Sequence, residues 1–148
     1  MPIHKRYKKI IDVKVKDVMV SPVITLGIDS SLNDAVEVMA KEKIGSLIIV
    51  DDSGKMAGII TERDIIYAAS RGLFKKDELK VKDIMSKNVI TVSADSNINE
   101  AIYKMRNHNV RHLPVIDNEA KPIGIISFRD LLDFAISILK IMLLPNES

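Results

Sequence analysis

Gly58-Ile59-Ile60-Thr61-Glu62-Arg63-Asp64 and Gly124-Ile125-Ile126-Ser127-Phe128-Arg129-Asp130 are two copies of one pattern. A glycine precedes two isoleucines and a hydroxyl residue, and an aspartate follows three positions after the hydroxyl. The pattern predicts a buried strand that runs directly into a helix. The glycine admits another backbone, or a ligand, at close range. The hydroxyl residue stands at the helix N-cap and the aspartate at N3, which makes a capping box. Such a cap contributes about 0.5–2 kcal/mol and needs no ligand. The same geometry can also bind. A helix N-terminus with free amides, a hydroxyl and a nearby guanidinium holds a phosphate, and a carboxylate one turn in can accept both hydroxyls of a ribose. One copy alone favours the cap; a second copy shifts the balance toward the ligand.

The two copies close a longer repeat. Val15 to Ile66 aligns with Val81 to Leu132 at a constant offset of 66, without a gap, and 20 of the 52 paired positions are identical. Val15-Lys16-Asp17-Val18-Met19 returns as Val81-Lys82-Asp83-Ile84-Met85, and Val23-Ile24-Thr25 as Val89-Ile90-Thr91. A match of that length with no insertion is duplication. Each unit predicts a short helical turn, a brief strand at Val23–Thr25 or its copy, a helix, two strands and a second helix. Asp29, Ser30 and Ser31 supply helix start signals. Leu32, Ala35, Val36 and Met39, like Ile98, Ala101, Ile102 and Met105, fall at i, i+3, i+4 and i+7, the spacing of a core-facing stripe. Leu47–Val50 and Leu113–Ile116 read as strands. Pro114 is expected near a strand start or on a sheet edge, where its missing N–H does no harm.

The expected organisation is a basic arm over 1–14, a first repeat over 15–66, a linker over 67–80, a second repeat over 81–136 and a helix end and tail over 137–148. Asp77-Glu78 is a candidate start for the helical turn of the second repeat. Leu131 to Leu144 has 11 apolar residues in 14 but includes Asp133 and Lys140, and it is too short for a membrane span. A helix so apolar needs a cover; the chain's own body and a homodimer are both open.

Composition excludes several classes. The chain of 148 residues is 47% hydrophobic, enough for a sizeable core, and its net charge of +2 gives no general attraction to nucleic acid. Aromatics at 4% argue against base-stacking platforms. With no cysteine there is no disulfide framework, zinc-thiolate site or cysteine nucleophile. Lys5, Arg6, Lys8 and Lys9 are not followed by the apolar run of a signal peptide, so the expected compartment is the cytoplasm. No phosphate-binding glycine loop or nucleophile elbow occurs. His108 and His112 have the spacing of a helical metal pair, but the helix is expected to end near Asn107–Asn109 and no third ligand is near. No catalytic or metal residues are assigned. The methionines read as packing.

The D-V/I-M openings, the strand-turn-strand ending in V-D or I-D, and the G-I-I-T/S-x-R-D closings resemble the cystathionine β-synthase (CBS) domain, and the pair resembles a Bateman module. The resemblance covers about residues 13 to 136. It implies an α/β (α+β) fold of tandem β-α-β-β-α repeats with pseudo-twofold symmetry, packed through their sheets with two clefts between them. It also implies adenosyl ligands: AMP, ADP, ATP or S-adenosylmethionine. Carried over, one cleft would join Thr61 and Asp64 to Val89, Thr91, Val110 and Arg111. The other would join Ser127 and Asp130 to Val23, Thr25, Ile44 and Gly45. The aspartates would bind ribose hydroxyls, and Thr61 and Ser127 the phosphate or the ribose side of it. The apolar residues and amides of the openings would hold adenine, with Arg63, Arg129, Arg111 and His112 as phosphate cations. Arg111-His112 corresponds to uncharged Gly45-Ser46, so one site is expected to prefer a phosphorylated nucleotide.

The function expected is a regulatory sensor of an adenine nucleotide or S-adenosylmethionine, not an enzyme, requiring no cofactor and acting on an unknown protein target or its own homodimer. The competing reading is a protein-interaction adaptor with empty clefts. Membrane and nucleic-acid partners are not expected.

Overall fold

The strand-helix-strand-strand-helix order predicted from periodicity is present in both repeats, each preceded by a helical turn. The computed structural model describes residues 12–76 and 78–145, so most of the predicted basic arm lies outside the described residues. In the first repeat a 3-10 turn at Val15–Asp17 leads to β1 (Thr25–Gly27), α1 (Leu32–Glu42), β2 (Ser46–Val50), β3 (Met56–Thr61) and α2 (Glu62–Ser70). A second 3-10 turn spans Leu73–Lys75. The second repeat has α3 (Val81–Ile84), β4 (Val92–Ser93), α4 (Ile98–His108), β5 (His112–Ile116), β6 (Pro122–Ser127) and α5 (Phe128–Leu143). The class is mixed α+β, with three-stranded sheets in the orders β1-β2-β3 and β4-β5-β6.

β1 runs parallel to β2, with Thr25 opposite Ile48, and β3 runs antiparallel, with Ser46 opposite Thr61. Pairing with β2 moves the first strand two residues beyond the predicted Val23–Thr25. α1 and α4 are closed alike. Ser31 Oγ accepts the Asp34 amide at 3.0 Å, and Asn97 Oδ1 accepts that of Asn99 at 2.9 Å. Lys43 and Asn109 end the helices in the left-handed region. Leu32, Ala35 and Met39 are buried, as are Ile98, Ala101 and Met105. The predicted stripe is wider than the real one: Val36 is only half-buried, and Ile102 is exposed.

Three further expectations change. β5 is the central strand of its sheet, so Pro114 is neither on an edge nor at a strand start; it is the third of five residues and fully buried. The sheet accommodates it on the β4 side. Where Thr25 pairs with Ile48 in the first repeat, Pro114 has no N–H to donate. β4 accordingly shrinks to two residues starting after Thr91, and the Thr91 carbonyl accepts from Lys104 Nζ at 2.8 Å. In the segment expected as a linker over 67–80, α2 continues to Ser70, Ala68 is buried, and Leu73 and Phe74 pack on the core. Lys80, rather than Asp77-Glu78, precedes α3, and Asp83 Oδ2 accepts its amide at 2.9 Å; Asp77 is outside the described residues.

The chain forms two compact units that do not follow the sequence repeat. Among the described residues, one comprises those within Pro22–Val89 and Ile116–Ile123; the other comprises those within 12–21, Ile90–Val115 and 124–145. Each opening therefore belongs to the unit built mainly from the other repeat. In the first of these units Val81 and Met85 enter a core with Leu32, Ala35, Met39, Leu47, Ile49, Ile60 and Ala68. The Val81 amide donates to the Ser30 carbonyl at 2.9 Å, and Lys82 Nζ lies 3.1 Å from Asp29. In the other unit the Val15 amide donates to the Ser96 carbonyl at 2.9 Å, and Lys16 Nζ lies 3.2 Å from Asp95. A hydrogen bond from Lys82, its charge and that of Lys80 hold the Asp29 carboxyl below its ordinary pKa.

This exchange explains the glycines of the closing motifs. A Cβ on Gly58 would lie 2.6 Å from Met85 Sδ and 2.7 Å from the Ser86 carbonyl oxygen. One on Gly124 would lie 2.6 Å from Met19 Sδ and 3.0 Å from the Val20 carbonyl oxygen. Of the two neighbours left open by the sequence, another backbone is the one found. Ile59 and Ser86 exchange backbone hydrogen bonds at 3.1 and 3.0 Å, as do Ile125 and Val20 at 3.0 and 2.8 Å.

Candidate nucleotide-binding site

Both closing motifs turn a buried strand into the first turn of a helix. Ile60 and Ile126 are fully buried, and the next residue is the N-cap. The Thr61 amide donates to Asp64 Oδ2 at 2.8 Å, and the Ser127 amide donates to Asp130 Oδ2 at 2.8 Å. The hydroxyls differ. Thr61 Oγ1 donates to Asp64 Oδ2 at 3.2 Å, whereas Ser127 Oγ accepts from the Asp130 amide at 3.1 Å. The capping box is therefore real, yet it engages one oxygen of each carboxylate. Among the described residues, Oδ1 of Asp64 and Oδ1 of Asp130 have no hydrogen-bond partner. Both aspartates are half-buried. A carboxylate held by one oxygen and open at the other is oriented to accept from a diol.

The residues before the second strand are tied to these helix starts. Within the unit containing Pro22–Val89, the Glu62 amide donates to the Gly45 carbonyl at 3.0 Å. In the other unit the Phe128 amide donates to the Arg111 carbonyl at 2.8 Å. Ile44 and Val110 are half-buried where the chain leaves α1 and α4. Arg111 is exposed and His112 begins β5, while their counterparts Gly45 and Ser46 offer no charge and Ser46 is buried. Arg63 and Arg129, the second residues of α2 and α5, are exposed and unpaired with acids among the described residues.

The candidate residues thus divide into two groups. Val23, Thr25, Ile44, Gly45, Thr61, Arg63, Asp64 and Val89 belong to one unit; Thr91, Val110, Arg111, His112, Ser127, Arg129 and Asp130 belong to the other. The clefts expected from the sequence drew on both groups, whereas these hydrogen bonds join each closing motif to the pre-strand residue of its own repeat. Thr25 is exposed at the start of β1, and Val23, Val89 and Thr91 are half-buried. His108 ends α4 and His112 lies in a strand, so their spacing is not that of one helix face. No group of three or more His, Cys, Asp or Glu suited to a metal occurs among the described residues. No helix there is long and apolar enough to cross a membrane.

Three further residues contribute in ways that the sequence pattern did not reveal. Asp17 and Asp83 pin the openings, each accepting the amide three residues before it at 2.9 Å. Lys104 holds the Thr91 carbonyl; its signal was a break in the repeat, since the matching residue is Val38.

The chain belongs to the CBS domain family, which matches residues 15–71 and 81–137. It is 37% identical over 119 residues to the inosine-5'-monophosphate dehydrogenase of Methanocaldococcus jannaschii; the match covers 80% of this chain and 23% of that enzyme. The chain thus spans about a quarter of that relative's length. Among solved structures it resembles the CBS domain pair of protein MJ0100 in complex with 5'-methylthioadenosine and S-adenosyl-L-methionine. The TM-score is 0.77 at 32% identity, over 83% of this chain and 99% of that one. It also resembles CBSX2 in complex with AMP, with a TM-score of 0.75 at 25% identity, over 84% and 97% of the two chains.

Proposed function

We propose that this chain is a regulatory module that binds an adenosyl ligand and carries out no turnover itself. The observation that carries the reading is the half-used carboxylate at each closing motif. Asp64 and Asp130 are oriented by their own helix starts, and one oxygen of each remains to accept ribose hydroxyls. The adenosyl ligands in the similar structures of MJ0100 and CBSX2 support it. Thr61 and Ser127, with Arg63 and Arg129, then serve the 5' side. Ile44, Gly45, Val110, Val23, Thr25, Val89 and Thr91 serve the base. AMP, ADP, ATP, S-adenosylmethionine and 5'-methylthioadenosine share the recognised diol and adenine.

Arg111 and His112 make the two motifs unequal, and they favour a phosphorylated ligand. A ligand changes output only through unequal affinity for two states, and a protein target or a homodimer is the proposed receiver. Titration calorimetry with AMP, adenosine and S-adenosylmethionine tests the reading. Asp64→Asn and Asp130→Asn should weaken every adenosyl ligand, because an amide oxygen that keeps the cap leaves no second acceptor. Arg111→Ala should weaken AMP but leave adenosine unchanged. Absence of binding heat and of thermal stabilisation at millimolar ligand would defeat the proposal; at 100 times Kd the stabilisation should be about 2.7 kcal/mol.

A further inference from the structure

The two closing motifs differ at the residue that follows the cap. Glu62 is the first residue of α2 and Phe128 the first of α5. Both are exposed. Each is tied through its amide to the pre-strand residue of its own repeat, Glu62 to the Gly45 carbonyl and Phe128 to the Arg111 carbonyl. The differing residues therefore come as matched pairs, Glu62 with Gly45 and Phe128 with Arg111. Their charges separate the motifs. Glu62 and Asp64 outweigh Arg63 by one negative charge, with Gly45 and Ser46 neutral, whereas Arg111 and Arg129 outweigh Asp130 by one positive charge. Lys87 belongs to the first motif's unit, but the antiparallel bridge of Ser86 to Ile59 puts it level with Gly58, three residues back from the cap. Glu62 has no ion pair among the described residues. An acid at the first helical position suits the helix dipole. Yet α5 starts with Phe128 after a cap of the same extended conformation, so this helix start does not require the acid.

Both motifs keep what adenosyl ligands have in common to recognise: a hydroxyl cap, an arginine second in the helix and an aspartate with one open oxygen. The difference falls on the 5' side. A phosphate monoester carries a charge of about −1.5 to −2 at pH 7. Beside an unpaired carboxylate that charge is repelled, and beside Arg111 it is attracted. A thioether brings no charge to the same place, and a sulfonium brings a positive one that Glu62 attracts. A repulsive group of this kind is how a site rejects a close analogue. We propose that the first closing motif selects an adenosyl ligand whose 5' substituent is uncharged or cationic, such as a thioether or sulfonium, with Glu62 turning phosphates away, and that the motif of Phe128 and Arg111 takes the phosphorylated ligand. This rests on the adenosyl-binding reading and adds a second ligand class together with the residue that separates the two.

Asp64→Asn and Asp130→Asn variants of the full chain each leave one motif with its open carboxylate. Titration calorimetry with AMP, adenosine, 5'-methylthioadenosine and S-adenosylmethionine then reads the motifs separately. In the Asp130→Asn protein, 5'-methylthioadenosine and S-adenosylmethionine should bind more tightly than AMP, and adding Glu62→Gln should raise the ratio of AMP to adenosine affinity about tenfold. In the Asp64→Asn protein AMP should bind most tightly, and adding Phe128→Glu should lower that ratio about tenfold. Both changes should shrink at high salt. Urea denaturation of each variant separates lost folding from altered selectivity; should Glu62→Gln fail to fold, Phe128→Glu decides. Absence of adenosine binding in every protein, wild type included, would overturn adenosyl binding itself. Adenosine binding with a ratio indifferent to Glu62→Gln, or a preference for AMP in the Asp130→Asn protein, would overturn only the selection by Glu62.

Discussion

Gly58→Ala isolates the contact that gives the closing motif its shape. Gly58 is buried in β3 and does not have a positive φ, so alanine meets no backbone penalty there and the cost is steric. The new methyl would lie 2.6 Å from Met85 Sδ and 2.7 Å from the Ser86 carbonyl oxygen. Methionine can bend away; a carbonyl whose residue is bonded twice to Ile59 cannot move without loosening those bonds. Overpacking costs about 1–3 kcal/mol and each weakened backbone bond up to about 0.5–1.5 kcal/mol, so the expected loss is about 2–4 kcal/mol. Gly124→Ala should cost less, about 1–2 kcal/mol, because its nearest backbone oxygen is at 3.0 Å. Gly27→Ala is the control. Only Ser30 Oγ comes within range, at 3.9 Å, so removing strand glycine entropy should be neutral or stabilise by about 0.5 kcal/mol. Urea denaturation of the three variants gives the ranking. The wild-type midpoint in Gly58→Ala, or a larger loss in Gly124→Ala, would refute the argument that the openings' backbones require these glycines.

Ala120→Gly should stabilise by about 0.5 kcal/mol in the same assay, because Ala120 sits at φ 61 where the first repeat has Gly54. Lys104→Met should cost about 1–2 kcal/mol and speed amide exchange around β4, since it removes the amine that satisfies the Thr91 carbonyl. Asp51 is held below its ordinary pKa, first by the Ser53 hydroxyl, against desolvation, with help from the Lys55 and Ser53 amides. Its folded pKa is thus below the unfolded one. Its contribution is present above the unfolded value and lost as pH falls through the folded value. Asp51→Asn should lower the denaturation midpoint at pH 7 and flatten its fall below about pH 4. Asp64→Ala should lose about 0.5–2 kcal/mol of cap stability together with ligand affinity, whereas Asp64→Asn should lose mainly affinity, as calorimetry beside denaturation would show.

Much of the candidate site was legible because capping chemistry is local. A hydroxyl residue with an acid three positions later specifies a box from sequence alone, and both boxes are present. That one carboxylate oxygen stays open required coordinates, because the alternatives differ only in which oxygen the amide reaches. Pro114 was misplaced because edge and centre of a sheet are indistinguishable within a five-residue strand. Ile102 was misassigned because helical periodicity gives a face, and the width of that face depends on what packs against it.

The duplication, the element order and the buried strands follow from residue spacing, since periodicity and turn chemistry act over a few residues of one chain. Which opening joins which unit could not be read that way. Val15–Met19 and Val81–Met85 are nearly the same string, and either could suit either repeat by composition. The choice came from long-range packing: two glycines without a Cβ, Met19 and Met85 lying over them, and backbone bonds that close between residues far apart in the chain.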